Sequence, residues 1–270
     1  MRLPLLLEPA ELQAHLGAPD LLIVDLGKES VYRQVHVPGA VHCNGRQLIA
    51  GEQPSPGKLP PLQQLSDAFA ALGLTPDTHV VVYDDEGGAW AGRCIWTLDV
   101  IGHHHYSFLN GGIHAWLAAG LPVESQPNAP RASAYTAHFE AGADADIDYV
   151  LTHHRDADHA LWDARSPEEF SGSVVRAQRA GHIPGARNYE WTRALDRADS
   201  LRLRPLEQVR AELADLGITG AKTVVTYCQT HHRSGFTYLL GKLLGFPRMK
   251  AYAGSWSEWG NRPDTPIEKD

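Results

Sequence analysis

The chain has 270 residues, of which 43% are hydrophobic, and carries a formal net charge of −8 at pH 7. This length accommodates one large or two ordinary domains, and the apolar content is sufficient for a core in each. The negative charge argues against nucleic acid or an anionic membrane as the main partner.

The N-terminal segment MRLPLLLEPAEL contains a five-residue apolar run that ends at Glu8. The run is shorter than the apolar region of a signal peptide and far shorter than a membrane span. Three cysteines, Cys43, Cys94 and Cys228, show no metal-type spacing and do not suggest a disulfide framework. We therefore expect a cytoplasmic protein in a reducing compartment.

The first half of the chain alternates helical and strand-like patterns. The predicted elements, in order, are a helix over 8–16, a strand over 21–26, a turn and strand in VHVPGAVHC, an amphipathic helix ending at Gly73, the strand HVVVYDD, a helix over 91–101, the strand SFLNGG and the helix IHAWLAAG. Alternation of this kind predicts an α/β fold with a mostly parallel sheet flanked by helices.

The same motifs recur in the second half. VDLGKESVY matches WDARSPEEF, HVPGA matches HIPGA, HVVVYDD matches TVVTYCQ, and LNGGIHAW matches YAGSWSEW, with offsets of 138, 146, 144 and 143 residues. This near-constant spacing indicates an internal duplication. We predict a first domain over 1–124, a Pro- and Ala-rich linker over 125–148, and a second domain over 149–270.

The stretch TVVTYCQTHHRSGFTYLLGKLLG is predicted to form a strand, a loop and a helix, with Cys228 at the start of the loop. A thiol at a helix N-terminus faces unpaired backbone N–H groups and a positive dipole end, which favour the thiolate. His231, His232 and Arg233 add potential positive charge. The alternative is an inert core cysteine with solvated basic neighbours. In the repeat alignment Asp84 replaces Cys228, which predicts one nucleophile per chain, in the second domain.

These motifs, in this order and in two copies, resemble the tandem-domain rhodanese family of sulfurtransferases over nearly the whole chain. The loop Cys-Gln-Thr-His-His-Arg resembles that of a bacterial rhodanese. It differs from the family's Arg-Lys-Gly-Val-Thr and Gly-Ser-Gly-Val-Thr loops, which are associated with thiosulfate and 3-mercaptopyruvate donors. The resemblance implies two rhodanese-like domains, the first non-catalytic. It also implies thiosulfate:cyanide sulfurtransferase activity, in which sulfur passes through a persulfide on Cys228 to a thiophilic acceptor such as cyanide or a thiol.

Several residues are candidates for donor binding. Arg233 is the first choice because its planar fork matches sulfonate oxygens, although it could instead pair with a carboxylate and brace the loop. His231 and His232 either add charge or fill the loop. Backbone N–H groups from Gln229 and Thr230 through Ser234 are expected to form an anion-binding cradle.

Two further residues lie outside the loop. Arg187, in GHIPGARN, is on the segment that approaches the donor in this family, or is a surface arginine. Asp163 either hydrogen-bonds the active loop, as the family's aspartate does, or belongs to the local turn, where Ser166 to Glu169 fit a capping box.

Three rival functions remain open. A phosphatase would use a Cys-x5-Arg loop, whereas this chain has Cys-x4-Arg and Tyr227 in place of the histidine that precedes the phosphatase cysteine. A 3-mercaptopyruvate sulfurtransferase would use the same cysteine with another donor. A persulfide carrier would deliver sulfur to a protein acceptor. We expect no cofactor, no metal at the clusters His103–His105 and His153–His154, and a monomer.

Overall fold

The computed structural model describes residues 2–269 and divides into two compact units, each an α/β structure. Unit 1 comprises residues up to Leu48, Pro60–Phe139 and Leu195–Leu203, and unit 2 comprises Ile49–Leu59, Glu140–Ala194 and the residues from Arg204 onward. Each unit therefore includes a short segment from the other half of the sequence. The predicted boundaries at 124 and 148 stay predictions.

Unit 1 contains a sheet that, within the described residues, has five strands in the order β1-β5-β4-β2-β3, all parallel. The strands are β1 Leu6–Leu7, β2 Leu21–Asp25, β3 Val41–His42, β4 His79–Tyr83 and β5 Tyr106–Leu109; the helices are α1 Pro9–Gln13, α2 Glu29–Tyr32, α3 Leu62–Leu72, α4 Ala89–Val100 and α5 Gly112–Ala118, with a 3₁₀ turn at Gly45–Leu48. The central strand β4 is buried along its whole length because helices cover both faces of such a sheet.

Unit 2 repeats this architecture. Over the part of the chain that the structure describes, its sheet has four parallel strands in the order β11-β10-β6-β7. The elements are α6 Ile147–His153, β6 His159–Asp163, α7 Pro167–Ser171, β7 Arg187–Asn188, a 3₁₀ turn at Trp191–Ala194, α8 Leu206–Asp215, β10 Thr223–Tyr227, α9 Arg233–Leu243, β11 Met249–Ala251 and α10 Ser255–Trp259. The antiparallel hairpin of β8 (Leu195–Asp196) and β9 (Arg202–Leu203) belongs to unit 1.

The predicted strand, loop and helix around Cys228 are confirmed. Strand β10 is fully buried, and helix α9 buries Phe236, Leu239 and Leu240. Leu243, in the last turn of the helix, is half-buried, whereas Leu244 directly after it is buried. The first helix is shorter than expected: α1 runs from Pro9 to Gln13 rather than over 8–16.

The register between β6 and β10 positions the site. Asp163 is opposite Tyr227 in the parallel pair, so both strands end at the same edge of the sheet. Cys228 therefore follows the central strand at its carboxyl end, where open α/β sheets place their ligands. In unit 1, Asp25 and Tyr83 are paired in the same way.

Candidate active site

Cys228 lies fully buried at the end of β10, at the start of the loop that leads into α9. Burial alone raises the pKa of a thiol. Here the charge of Arg233, the hydroxyl of Ser234 and the backbone N–H groups of Ser234 and Thr230 outweigh that effect, and the pKa of Cys228 is lowered. A thiolate is therefore favoured in the fold, as a nucleophilic cysteine requires.

The backbone of the loop from Cys228 to His232 turns around the sulfur of Cys228. His231 has a φ of +52°, in the left-handed region, and is fully buried. Its Nδ1 lies 2.8 Å from the hydroxyl of Ser234. His232 precedes the first residue of α9 and is half-buried. His231 is left-handed and His232, with φ −96° and ψ −66°, is right-handed. Such alternation directs successive N–H groups into one concavity, the geometry of an anion nest.

Ser255, which the sequence analysis did not single out, holds two ends of this loop. Its hydroxyl accepts the N–H of Cys228 at 3.3 Å and the N–H of His231 at 3.1 Å, and donates to the carbonyl of Tyr252 at 2.9 Å. Ser255 itself has a φ of +52°. Its counterpart in unit 1, at the offset of 143 residues, is Gly112 with a φ of +54°. The hydroxyl thus stands where the backbone conformation favours glycine.

Helix α10 continues the support. The backbone N–H of Trp256 donates to the carbonyl of Cys228, and that of Ser257 donates to the carbonyl of Gln229, each at 2.9 Å. The side chain of Gln229 donates to the carbonyl of Arg176 at 3.1 Å. The GSWSEW motif therefore binds the carbonyls of Cys228 and Gln229, and the N–H groups of Thr230 and Ser234 are directed to the sulfur.

The segment Ile49–Leu59 belongs to the same unit and touches the loop at Thr230. A Cβ atom built on Gly57 would lie 1.9 Å from the carbonyl oxygen of Thr230. Only glycine permits this approach of one backbone to the other. No sequence motif marked Gly57, because the contact joins two stretches that are far apart in the chain.

Arg233 is paired with a carboxylate. Its two terminal nitrogens donate to the two carboxylate oxygens of Glu169 at 2.6 and 3.0 Å. The Glu169 side chain is 7% exposed and that of Arg233 is 23% exposed. Arg233 therefore pairs with a carboxylate, as the second alternative predicted, and its positive charge also lowers the pKa of Cys228. Whether Arg233 also contacts a donor stays a prediction.

Asp163 contacts Arg165 rather than the loop backbone. Its carboxylate accepts from the backbone N–H of Arg165 at 2.9 Å and from the guanidinium at 2.6 Å. Both side chains are buried, and the guanidinium also donates to the carbonyl of Gly181 and lies over the ring of Trp256. Asp163 therefore belongs to the local turn, as the second alternative predicted, and it also forms a buried ion pair with Arg165. The capping box at Ser166 and Glu169 is confirmed.

Arg187 begins strand β7 opposite Trp162 and is exposed. Trp162 itself is fully buried, and its indole nitrogen donates to the carbonyl of Tyr189 at 2.9 Å. The strand position therefore fixes the backbone of Arg187 and leaves its side chain on the surface. Its proposed part in donor binding stays a prediction.

The corresponding place in unit 1 is filled by a carboxylate. Asp84 is buried and accepts backbone N–H groups from Glu86, Gly88 and Ala91 at 3.1, 2.7 and 3.0 Å. Burial and the charge of Glu86 raise its pKa, and these N–H groups oppose the rise. Unit 1 thus retains a cradle of backbone N–H groups, but it surrounds a carboxylate, and a hard oxygen anion has little affinity for sulfur.

Three side chains of metal-ligating type lie close together elsewhere in unit 2: ligand atoms of His153, Asp156 and His159 are within 4.8 Å of one another. The two imidazole rings are stacked, 4.7 Å apart and 9° from parallel. A bound ion lies in the plane of each ligating ring, so parallel stacked rings do not converge on one ion. Each histidine also contacts an aspartate, His153 with Asp156 and His159 with Asp158.

Comparison with known proteins agrees with this geometry. Residues 8–119 and 146–262 match the rhodanese-like domain. The thiosulfate sulfurtransferase of Azotobacter vinelandii is 51% identical over 266 residues, covering 98% of this chain and 97% of that protein. The sulfur carrier protein TtuD of Thermus thermophilus is 32% identical over 271 residues, covering 95% and 94%.

A solved structure shares the fold. The crystal structure of YnjE superposes with a TM-score of 0.88 at 23% identity, over 98% of this chain and 68% of that one. The helices among the described residues are too short or too polar to cross a bilayer. With its two matched α/β copies, the chain belongs to the rhodanese-like domain family.

Proposed function

We propose that this protein is a thiosulfate sulfurtransferase that carries sulfur as a persulfide on Cys228. The observation that carries the proposal is the buried Cys228 thiol with a lowered pKa, enclosed by the N–H groups of Thr230 and Ser234. The donor class comes from the Azotobacter relative, whose name is thiosulfate sulfurtransferase and whose length this chain nearly matches.

The proposed reaction has two balanced steps. In the first, the Cys228 thiolate attacks the outer sulfur of thiosulfate, the sulfur–sulfur bond of the donor breaks, and sulfite leaves with its electron pair. In the second, the carbon of cyanide attacks the terminal persulfide sulfur, the sulfur–sulfur bond of the persulfide breaks, and its electron pair returns to Cys228 as the thiolate, with thiocyanate as the product. No proton is consumed in either step, because the leaving groups, sulfite in the first step and the Cys228 thiolate in the second, are both stable anions. The protein therefore needs to stabilise an anion on sulfur at every stage, and the loop N–H groups do so.

The roles of the other residues follow from their positions. We assign Thr230 and Ser234 to the cradle, and Arg233 to electrostatic stabilisation of the thiolate, because its charge lowers the pKa of Cys228. We propose that His232, half-buried at the start of α9, faces the donor together with Gln229. His231 is proposed to support the loop, since it is buried against Ser234.

The test is the initial rate of thiocyanate formation with thiosulfate and with 3-mercaptopyruvate, for the wild type, Cys228→Ser and Cys43→Ser. Cys43 is a suitable control because it is buried in unit 1 and burial raises its pKa to about 12. We expect thiosulfate to be the better donor, Cys228→Ser to be inactive, and Cys43→Ser to retain activity. A faster rate with 3-mercaptopyruvate would reassign the donor while retaining Cys228.

A persulfide carrier is the second candidate, favoured by the similarity to the sulfur carrier protein TtuD. Preloaded Cys228 persulfide would then lose its sulfur faster to a protein or thiol acceptor than to cyanide. Mass spectrometry of the loaded protein, followed over time with each acceptor, separates the two candidates. Faster discharge to cyanide and no discharge to the other acceptors would exclude the carrier function.

We further propose a cytoplasmic monomer. Three free cysteines are consistent with a reducing compartment. Cell fractionation and light scattering of the purified protein test these two proposals separately. Recovery in an exported fraction would overturn the first, and a dimer mass would overturn the second.

A further inference from the structure

Glu169 lies at the junction of three features of unit 2. It is the third residue of α7, where its carboxylate accepts the backbone N–H of Ser166 at 3.3 Å as part of the capping box. It also binds both terminal nitrogens of Arg233, the first residue of α9. Through Arg233 it is coupled to Cys228, because the charge of that guanidinium stabilises the thiolate.

This arrangement limits what Arg233 can do. A bidentate pair with a carboxylate occupies the two terminal nitrogens that a sulfonate would otherwise use. It also places a negative charge next to the main positive charge at the loop. Since Glu169 is 7% exposed, solvent screens the pair only weakly. The site therefore presents a partly neutralised cation to the sulfur.

The two reaction steps make opposite demands on that charge. The first step benefits from positive charge, which binds a dianionic donor and favours the thiolate. The second step requires the persulfide anion to give up its terminal sulfur, so strong stabilisation of that anion slows the discharge. Binding an intermediate more tightly than the following transition state lowers turnover. A partly neutralised Arg233 therefore allows both steps to proceed, because it attracts the donor without binding the persulfide anion too strongly.

We propose that Glu169 is a positioning residue that holds Arg233 in a partly neutralised state, so that the site does not retain its donor and its transferred sulfur too tightly. The kinetic consequences rest on the function proposed above. The effect on the ionisation of Cys228 does not, because it concerns this chain's own residues. Other charged or titratable groups on the surrounding elements include Asp163 at the end of β6, Arg165 after it, Tyr227 on β10, His231 and His232 in the loop, and the ion pair of Lys58 with Glu258.

Glu169→Gln isolates the charge. Glutamine is accepted at the third position of a capping box, and its carbonyl oxygen still accepts a hydrogen bond from Arg233. Glu168→Gln is the matched control, since it removes the same charge one residue earlier, from an exposed side chain in the first turn of the same helix. Equal thermal midpoints in the three proteins show that the fold is retained.

The first measurement is the thiolate titration of Cys228 by ultraviolet absorbance, with the matching Cys228→Ser protein subtracted. We expect Glu169→Gln to lower the pKa of Cys228 by about one unit, the size of effect that one nearby charge produces, and Glu168→Gln to leave it unchanged. An unchanged or raised pKa in Glu169→Gln would overturn the proposal, because it would show that the carboxylate only holds Arg233 in place.

The second measurement separates the two steps. We expect Glu169→Gln to lower the KM for thiosulfate several-fold and to slow the discharge of preformed persulfide by cyanide several-fold. Adding Arg233→Gln to that variant should abolish both changes, since they act through the guanidinium. A raised KM with unchanged discharge would overturn the inference. If thiosulfate proves not to be the donor, the proposed function fails while the titration still decides the role of Glu169.

Discussion

The hydroxyl of Ser255 accepts the backbone N–H of Cys228, although the two residues are 27 positions apart. The same hydroxyl accepts the N–H of His231 at 3.1 Å, so one side-chain oxygen holds both ends of the curl around the sulfur. This contact explains why a serine with a φ of +52° is found where unit 1 has Gly112. The two hydrogen bonds that the Ser255 hydroxyl accepts offset the cost of its left-handed backbone conformation.

Replacing Ser255 separates strain from hydrogen bonding. Ser255→Ala leaves two buried N–H groups without their acceptor and should lower the free energy of unfolding by about 1 to 3 kcal/mol. Ser255→Gly loses the same acceptor but relieves the left-handed conformation, and should be more stable than the alanine variant by about 1 kcal/mol. Urea denaturation measures both. We expect sulfur transfer to fall at least tenfold in each variant, and full activity in either would show that the hydroxyl does not order the loop.

Gly57→Ala tests the contact between the segment Ile49–Leu59 and the active loop. The new methyl group would lie 1.9 Å from the backbone oxygen of Thr230, so one of the two segments has to move. We expect a loss of about 1 to 3 kcal/mol in the free energy of unfolding, as for overpacking in a core, and a large loss of activity. Gly142→Ala is the control, because a Cβ at Gly142 meets nothing within 4 Å. Similar behaviour of the two variants would contradict the contact.

The lowered pKa of Cys228 predicts a pH-dependent contribution to stability. A thiol whose pKa is lower in the folded state contributes stability above its unfolded pKa of about 8.5, and this contribution is lost as the pH falls through the folded pKa. The free energy of unfolding of the wild type, minus that of Cys228→Ser, should therefore be larger at about pH 9.5 than at about pH 6. Taking the difference cancels other titrating groups. A smaller difference at the higher pH would contradict the lowered pKa.

Breaking the buried ion pair of Asp163 and Arg165 should lower the free energy of unfolding more than breaking an exposed pair. Arg165→Met leaves the buried Asp163 carboxylate without its guanidinium, and we expect a loss of about 3 to 5 kcal/mol in the free energy of unfolding. The matched control is Arg262→Met, which breaks an exposed pair with Asp264 and should cost less than about 1 kcal/mol. Chemical denaturation of the two variants compares them directly. Equal losses in the two variants would show that the buried pair contributes no more to stability than the exposed pair.

Much of the fold could be predicted because its signals are local or repeated. The strand before Cys228 is a continuous β-branched and aromatic run, and the apolar residues after it recur at helical spacing. The capping box at Ser166 and Glu169 is a four-residue pattern and is present as expected. Four motif pairs at similar offsets identified the duplication, and Asp84 indeed fills the cradle in unit 1.

Other features could not be predicted because the partners are distant in the chain. Arg233 and Glu169 are 64 residues apart, and Gly57 and Thr230 are further apart still. Side chains of both charges occur throughout the sequence, so the pattern alone did not indicate which carboxylate would meet Arg233. No pattern in the sequence indicated that Ile49–Leu59 groups with unit 2 and Leu195–Leu203 with unit 1, because this grouping depends on contacts between distant parts of the chain.

Periodicity and motif order are sufficient to identify a duplicated α/β protein with one cysteine at the end of a buried strand, because both are properties of the linear sequence. Which groups surround that cysteine and lower its pKa depends on tertiary contacts. The hydroxyl of Ser255, the backbone approach at Gly57 and the pairing of Arg233 with Glu169 arise when the parallel strands bring distant loops to one edge of the sheet. The pKa of Cys228 depends on these neighbours, since desolvation and nearby charges act through space.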